Sequence, residues 1–502
     1  MHLLPPVLLL ALSGLAPSIH AEGLIRAPLI RNEQARQHLR QSIATNQFRK
    51  REQLLNADGR EYLVQVGVGT PPQVFNLTLD TGSSEVWVPS TKCAKTVCPY
   101  ERFDGSKSSS LTETNEVFSI QYGLGNAKGT YGQETVSVGT ATVTNQKIGL
   151  VNTTKDILGV VANGVQSNGI FGLGYPGLNS ARGVQNDIPF AFNLMQQNQQ
   201  LDTFSIYLTN SHLNTTTTST GGGEIIFGGV DKTKFKGELS YVPVIDYTVQ
   251  PHQPVSPNVG QKNGTRANGT FLYWTVPGQG VSTSKNYTYT PTDVVPFVLD
   301  TGTTLTYMPA AVVKKIVDSL TAPKKATFDA FNLVYRIDCA MRSSQESVSL
   351  YLSPSKTAMT TPTQQPIEIK VPVSQLVIPI DTNDAATATS CMFAIAPADE
   401  SNSLSSAPTW LLGEATLRAV YAVYDMKQNR VGLAPFSTDG STSGSVASGT
   451  TMTGTSAPST SSGNQQQQQS NDPASSSGTV KSGTLSSFAL TLFIVAGSLF
   501  FY

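Results

Sequence analysis

Residues 62–87 read YLVQVGVGTPPQVFNLTLDTGSSEVW. Within this stretch Phe75, Leu77 and Leu79 alternate with Asn76, Thr78 and Asp80, the period of two expected of a half-buried strand that runs into a turn. The turn is Asp80-Thr81-Gly82-Ser83-Ser84. It recurs 220 residues later as Asp300-Thr301-Gly302-Thr303-Thr304, again after an apolar run, Val294 to Leu299, that reads as a strand. In each copy a small hydroxyl residue and a glycine follow the aspartate, which permits a tight reversal and lets two such loops approach closely. Two apolar residues and a glycine follow in each half, Ile170-Phe171-Gly172 and Leu411-Leu412-Gly413. One Asp-Thr-Gly alone is an ordinary turn after a strand. Its recurrence in matched context points to an internal duplication, two homologous lobes that each give one aspartate to a shared cleft.

Two carboxylates held a few ångströms apart cannot both ionise cheaply, so they share a proton and titrate as a pair. One then serves as base and the other as acid towards a water lodged between them, with no covalent intermediate or metal. Ser83 and Thr303 are placed to hydrogen-bond the carboxylates from outside, and Gly82 and Gly302 to offer backbone N–H groups. Histidine-based chemistry finds little support. Of five histidines, His2, His20 and His38 precede the body of the chain, His212 lies in a Thr-rich loop and His252 lies between prolines. A Ser-His-Asp or Cys-His enzyme therefore lacks a base.

At this point the sequence resembles the pepsin-like aspartic proteases, from about Glu61 to Phe436. Residues 62–87 come close to that family's signature, and FSIQYGLG, Phe118 to Gly125, looks like the flap hairpin that closes over substrate. The resemblance makes Tyr122 the flap tyrosine with Trp87 as its hydrogen-bond partner, and sets Gly123 and Leu124 against substrate. GGGEIIFGGVD at 221–231 and WLLGEATLRAVYAVYDMKQNRVGLAPF at 410–436 resemble the family's middle and closing elements. The fold implied is all-β and bilobal, with residues 52–240 and 241–436 as pseudo-twofold-related catalytic lobes around a central cleft. It also implies catalysis by Asp80 and Asp300 at acidic pH, peptide or protein substrates, pepstatin-type inhibitors, a monomer and no cofactor. Leu124 stands where relatives often carry a polar or acidic residue, and the surface-anchored fungal enzymes of the yapsin type favour basic residues beside the cut. Leu124 offers no charge for that, so an apolar or mixed preference is expected. Glu414 replaces the usual aspartate after Leu-Leu-Gly.

Composition is that of a secreted β-rich chain, with only 14% charged residues and length enough for two domains with their own cores. Residues 22–51 hold seven Lys or Arg against two Glu, whereas 52–436 hold 26 basic and 30 acidic residues. Nothing points to nucleic-acid binding. Met1 to Ala21 reads as a secretory signal peptide, which places four cysteines in an oxidising compartment. Three pairings are open to them, and the resemblance implies Cys93–Cys98 and Cys339–Cys391. No histidines stand near to complete a zinc site, so no metal is expected. Residues 22–51 read as a propeptide whose LIRAPLIRNEQARQHLRQ resembles the start of a pepsin-like prosegment. Arg49-Lys50-Arg51 is a cut site for a kexin-type processing protease, and the basic strip is expected to cover the acidic cleft by charge attraction. Its only lysine is Lys50 at the cut site, so the family's dyad-pairing prosegment lysine has no clear match.

Residues 437–484 are Ser, Thr, Gly and Gln-rich and read as a stalk that buries too little to fold. Residues 485–502 are apolar and uncharged with no basic residue after them, which fits a GPI-anchor signal attached between Asn471 and Ser477 better than a transmembrane helix. Asn152, Asn214, Asn263, Asn268 and Asn286 are candidate glycosylation sites. Asn76 has the sequon too but lies in the strand that leads to Asp80. The rival to a surface-anchored protease is a catalytically silent binding or adhesion protein on the same fold.

Overall fold

The computed structural model describes residues 24–31, 62–122, 125–155, 157–158, 167–181, 187–209, 221–245, 271–292, 294–355, 365–381, 386–398 and 410–437. The chain divides into two units, residues 1–454 and 455–502, and every described residue belongs to the first. The segments read as signal peptide, stalk, apolar anchor tail and cut site, residues 1–21, 437–484, 485–502 and 49–51, lie outside the described residues apart from Ser437. No helix among the described residues is long and apolar enough to cross a membrane.

Strands dominate. In chain order the first ten are β1 (Ile25–Arg31), β2 (Tyr62–Val68), β3 (Gln73–Asp80), β4 (Val86–Pro89), β5 (Thr112–Gln121), β6 (Asn126–Val138), β7 (Ala141–Lys155), β8 (Ile170–Gly172), β9 (Thr203–Leu208) and β10 (Gly221–Phe227). They run in one sheet in the order β9-β10-β1-β2-β3-β8-β4-β7-β6-β5. The alternation read from residues 75–79 holds in β3, where Phe75, Leu77 and Leu79 are buried. A second sheet carries Thr275–Thr283, Val295–Leu299, Thr306–Met308, Ser347–Leu352, Ile367–Pro372 and Leu411–Leu412, and a small third sheet lies beside it.

The duplication is visible in the pairing. β3 lies parallel to β8, which in turn pairs antiparallel with β4. In the second half Val295–Leu299 lies parallel to Leu411–Leu412, which pairs antiparallel with Thr306–Met308. The echo glycines sit where this packing leaves no room for a side chain: a β-carbon on Gly172 would fall 2.5 Å from Glu85 N, and one on Gly413 2.2 Å from Leu305 O. Each therefore lets the strand end press against the turn that follows its aspartate.

A cut at 240/241 does not separate the sheets. The closing strands Val420–Asp425 and Arg430–Pro435 join the first sheet through β9, and Ser240–Pro243 pairs with the last of them. One continuous apolar core accordingly runs through both halves, from Leu29 and Val64 to Trp274 and Leu433.

Strand β1, from the segment read as a propeptide, is inside this sheet and not laid over a cleft. It pairs antiparallel with β10 on one side and β2 on the other, burying Ala27 and Leu29. Arg26 contacts Glu224 and Asp231, both at 2.8 Å, so this cation of the basic leader is engaged away from the aspartate turns.

Candidate active site

β3 and Val295–Leu299 deliver Asp80 and Asp300 at their C-terminal ends, and both side chains are buried, 6% and 7% exposed. Gly82 N donates to Asp80 Oδ1 at 2.8 Å, and Gly302 N to Asp300 Oδ1 at 2.8 Å. Thr303 Oγ1 donates to Asp300 Oδ2 at 2.6 Å, and Ser83 Oγ donates to Asp80 Oδ2. Each carboxyl thus has the same pair of donors, one backbone and one hydroxyl.

The two turns pack against each other through their glycines. A β-carbon on Gly82 would fall 2.6 Å from Asp300 Cγ, and one on Gly302 2.3 Å from Asp80 Oδ1. Only hydrogen fits, because each turn passes beneath the opposite carboxylate. The threonines between aspartate and glycine lock the arrangement. Thr81 N donates to Thr301 Oγ1 at 3.1 Å and Thr301 N to Thr81 Oγ1 at 3.0 Å, while Thr81 Oγ1 donates to Leu299 O at 2.9 Å and Thr301 Oγ1 to Leu79 O at 2.8 Å. Every hydroxyl both gives and accepts across the twofold, in full burial. In the sequence these threonines are small, turn-compatible residues, and nothing local pairs them across the 220 residues between them.

Burial, and then the charge of Asp300, push the Asp80 carboxyl above the usual carboxylate range, against the pull of the Ser83 hydroxyl and the Gly82 N–H. The crossed turns hold each carboxyl against the other turn's glycine, close enough for the charge of Asp300 to act on Asp80. Such a pair retains one proton where isolated carboxylic acids would have lost theirs.

The β5–β6 hairpin carries Tyr122 against Trp87 of β4. Tyr122 N donates to Gly125 O at 2.8 Å, Gln121 Nε2 braces the same turn at Tyr122 O and Gly125 O, and Trp87 Nε1 donates to the Tyr122 hydroxyl at 2.8 Å. Gly123 and Leu124, at the tip, lie outside the described residues. Under the hairpin Trp87, Phe118, Ile120, Ala127, Val151 and Ile170 form an apolar cluster, against which Tyr122, Ile157 and Leu158 pack. Glu85, which the sequence analysis passed over, sits buried at the back of this cluster and accepts from the Tyr131 hydroxyl at 2.5 Å.

Cys93 is bonded to Cys98 and Cys339 to Cys391. Among the described residues no group of three or more His, Cys, Asp or Glu is placed to hold a metal ion. Asn152 and Asn286 are exposed, the latter in a turn at φ 64°, whereas Asn76 is half-buried in β3 with its Oδ1 out of solvent. Asn214, Asn263 and Asn268 lie outside the described residues.

The family model for eukaryotic aspartyl proteases matches residues 61–436. The chain is 30% identical over 395 residues to mucorpepsin of Rhizomucor miehei, covering 76% of this chain and 79% of that protein. It is 28% identical over 452 residues to cathepsin E of Mus musculus (86% and 99% covered) and 28% identical over 438 residues to embryonic pepsinogen of Gallus gallus (82% and 96%). The match spans both aspartate turns, the hairpin and the closing strands, and the chain belongs to the eukaryotic aspartyl protease family.

Proposed function

We propose that this chain is the zymogen of an aspartic endopeptidase that enters the secretory pathway, is held at the cell surface by a GPI anchor, and hydrolyses peptide bonds in acid with a water activated between Asp80 and Asp300. One observation carries the catalytic part: two buried carboxyls with matched donors are locked together by the Thr81–Thr301 exchange. Aspartic proteases are the standard instance of two carboxylates sharing one proton. In the working state the ionised member takes a proton from water while the protonated member donates a hydrogen bond to the scissile carbonyl. The protonated member passes its proton to the carbonyl oxygen as the water oxygen bonds to the carbonyl carbon, giving a tetrahedral gem-diol. A gem-diol hydroxyl then returns a proton to that carboxylate while the nitrogen takes the proton first drawn from water and the C–N bond breaks. The Gly82 and Gly302 N–H groups with the Ser83 and Thr303 hydroxyls keep both carboxyls oriented, so little reorganisation accompanies the charge movement.

Tyr122, tethered by Trp87, covers the bound peptide. The apolar cluster beneath the hairpin supports a preference for apolar side chains next to the cut, in line with Leu124. Zymogen character is supported by β1, which occupies a central place in the sheet. The Asp231 carboxyl partnering Arg26 is pushed up by burial, yet hydrogen bonds from Thr233 and Arg26 outweigh this and hold it below the usual range. A depressed folded-state value means the contact stabilises above the ordinary carboxylate pKa and is lost as pH falls through the lowered one, so acid loosens β1. Kexin-type cleavage after Arg51 and anchoring between Asn471 and Ser477 complete the proposed route.

Cleavage of a peptide library at about pH 3 to 6, read by mass spectrometry with and without a pepstatin-type inhibitor, tests the chemistry. Inhibitable cleavage that vanishes in both Asp80→Asn and Asp300→Asn is the expected result, and activity surviving either change would sink the mechanism. Release from cells by a phosphatidylinositol-specific phospholipase tests the anchor, since a transmembrane form stays bound.

A further inference from the structure

One buried acid, Glu85, takes no part in the proposed chemistry. It stands two residues after Ser83 and two before Trp87, in an extended segment whose alternate side chains face opposite ways. On one side Ser84 Oγ donates to Asn179 Oδ1, and Val86 and Val88 enter the main core. On the other side Ser83, Glu85 and Trp87 each meet a polar partner. Ser83 Oγ donates to Asp80 Oδ2, Glu85 Oε1 accepts from the Tyr131 hydroxyl at 2.5 Å, and Trp87 Nε1 donates to the Tyr122 hydroxyl at 2.8 Å. One segment thus holds the aspartate with the first of these residues and two tyrosines of the β5–β6 hairpin with the next two.

Both ends of the Glu85–Tyr131 contact are anchored. Gly172 N donates to Glu85 O at 3.0 Å and Gly174 N to Ser83 O at 2.7 Å, so Glu85 rides on the same clamped backbone as the hydroxyl donor of Asp80. Tyr131 lies in β6, in the row where Trp87 pairs with Gly149 and Gly149 with Tyr131. Gly149 leaves that row open for the Phe118 ring, which a β-carbon there would meet at 2.6 Å. Tyr131 packs edge-on against Phe118 with ring centroids 5.2 Å apart. Lys147 Nζ stands 4.3 Å from the Tyr131 centroid and pairs with Glu116 of β5 at 2.7 Å. A ring and a cation from the hairpin's own strands therefore fix the phenol, and its hydroxyl reaches across to the segment that holds Asp80. Packing in an apolar cluster does not call for a glutamate. As the acceptor of a buried hydroxyl it sets where the hairpin stands, because either group left without the other would be desolvated for nothing.

We propose that Glu85 is a positioning residue for peptide cleavage: through the Tyr131 hydroxyl it seats the base of the β5–β6 hairpin on the segment that holds Asp80, and so sets how closely Tyr122 covers the substrate. This rests on the catalytic reading given under the proposed function. The test compares three variants. Tyr131→Phe strips the donor and keeps the ring on Phe118, Glu85→Leu removes the acceptor, and Glu85→Gln offers an amide oxygen to the same hydrogen. Tyr131→Phe and Glu85→Leu are each expected to raise KM for a peptide substrate about tenfold with kcat within about threefold of the parent, since the cover moves while the Gly82 and Ser83 donors stay on Asp80. Glu85→Gln is expected to bring KM back to within about threefold of the parent. Hydrogen exchange without substrate, read by mass spectrometry, is expected to quicken about tenfold along β5 and β6 in Tyr131→Phe and to stay unchanged in β2 and β9. A parent that cleaves nothing would fail the catalytic reading on its own control, and hydrogen exchange would then judge the tie alone. Parental KM and parental hairpin exchange in Tyr131→Phe, a loss that falls on kcat alone, or a Glu85→Gln variant as impaired as Tyr131→Phe would each overturn the proposal.

Discussion

In the half that carries Asp80 the chain builds long strands: β5, β6 and β7 run 10, 13 and 15 residues and raise a hairpin whose Tyr122 is tied to Trp87. Around Asp300 the strands are shorter, nine residues in Thr275–Thr283 and only three in Thr306–Met308, and the chain passes from the latter into the helix Ala310–Thr321, which buries Val312, Val313, Ile316, Val317 and Leu320 on one face. The aspartate turns themselves are near copies, down to the N–H, the hydroxyl and the reciprocal threonine bonds. What differs between the halves is everything more than one strand away. A shared proton demands equal geometry at the two carboxylates, whereas covering a peptide needs one hairpin from one side, so the first constraint held the turns alike while the second let the halves diverge.

The strongest way to break that symmetry is at the carboxylates. Asp80→Asn and Asp300→Asn are each expected to lower kcat by about 10⁴-fold, since each removes one partner of a coupled acid–base pair; a large difference between them would mean that the halves are not equivalent in catalysis. Next come the crossed glycines. Gly82→Ala and Gly302→Ala each push a methyl group into the opposite aspartate, and the displacement is expected to cost about 10²-fold in kcat/KM with the fold intact by circular dichroism. Thr81→Val and Thr301→Val keep shape but strip the exchanged hydroxyl, leaving a buried N–H and a buried C=O without partners. Denaturant titration is expected to show a loss of about 3 kcal/mol for either one.

Tyr122→Phe sharpens the asymmetric side of the comparison. It removes the hydroxyl that accepts from the buried Trp87 N–H, with an expected loss of about tenfold in kcat/KM and of about 1 kcal/mol of stability in denaturant titration. The smallest effect concerns stability. Because the folded-state pKa of Asp80 is raised, the native state binds its proton more tightly than the unfolded chain does, and stability falls as pH rises from the unfolded value towards the folded one. Asp80→Asn escapes that loss, so it is expected to melt a few degrees higher than the parent near neutral pH and at the same temperature in strong acid, by scanning calorimetry.

The elements readable from the sequence share one property: their evidence is local or repeated. The alternation in β3, the two Asp-Thr-Gly turns and the paired glycines at 172 and 413 each declare a backbone need within a few residues. Tyr122 and Trp87 became a pair through family resemblance, and the structure sets them 2.8 Å apart. The threonine exchange was not legible, because Thr81 and Leu299 meet across 218 residues of chain. Nor was the fate of the leader: a basic strip beside an acidic body suggested a charge-held cover, while Ile25–Arg31 has strand character that only its slot between β10 and β2 expresses. Glu85 stayed hidden because an isolated glutamate discloses no partner until Tyr131 is brought over it.

By itself the sequence determined that two aspartates sit at the ends of two similar strands, each with a glycine that allows close approach and a hydroxyl able to hold the carboxylate. Local backbone sterics and alternation settle those features wherever the chain folds. Tertiary structure alone decided that the two turns interlock through their threonines, that β3 and the closing strands share one sheet, and that the leader strand stands inside it. Those outcomes depend on which buried backbone groups find partners far along the chain, and such pairing is fixed only when the whole core closes.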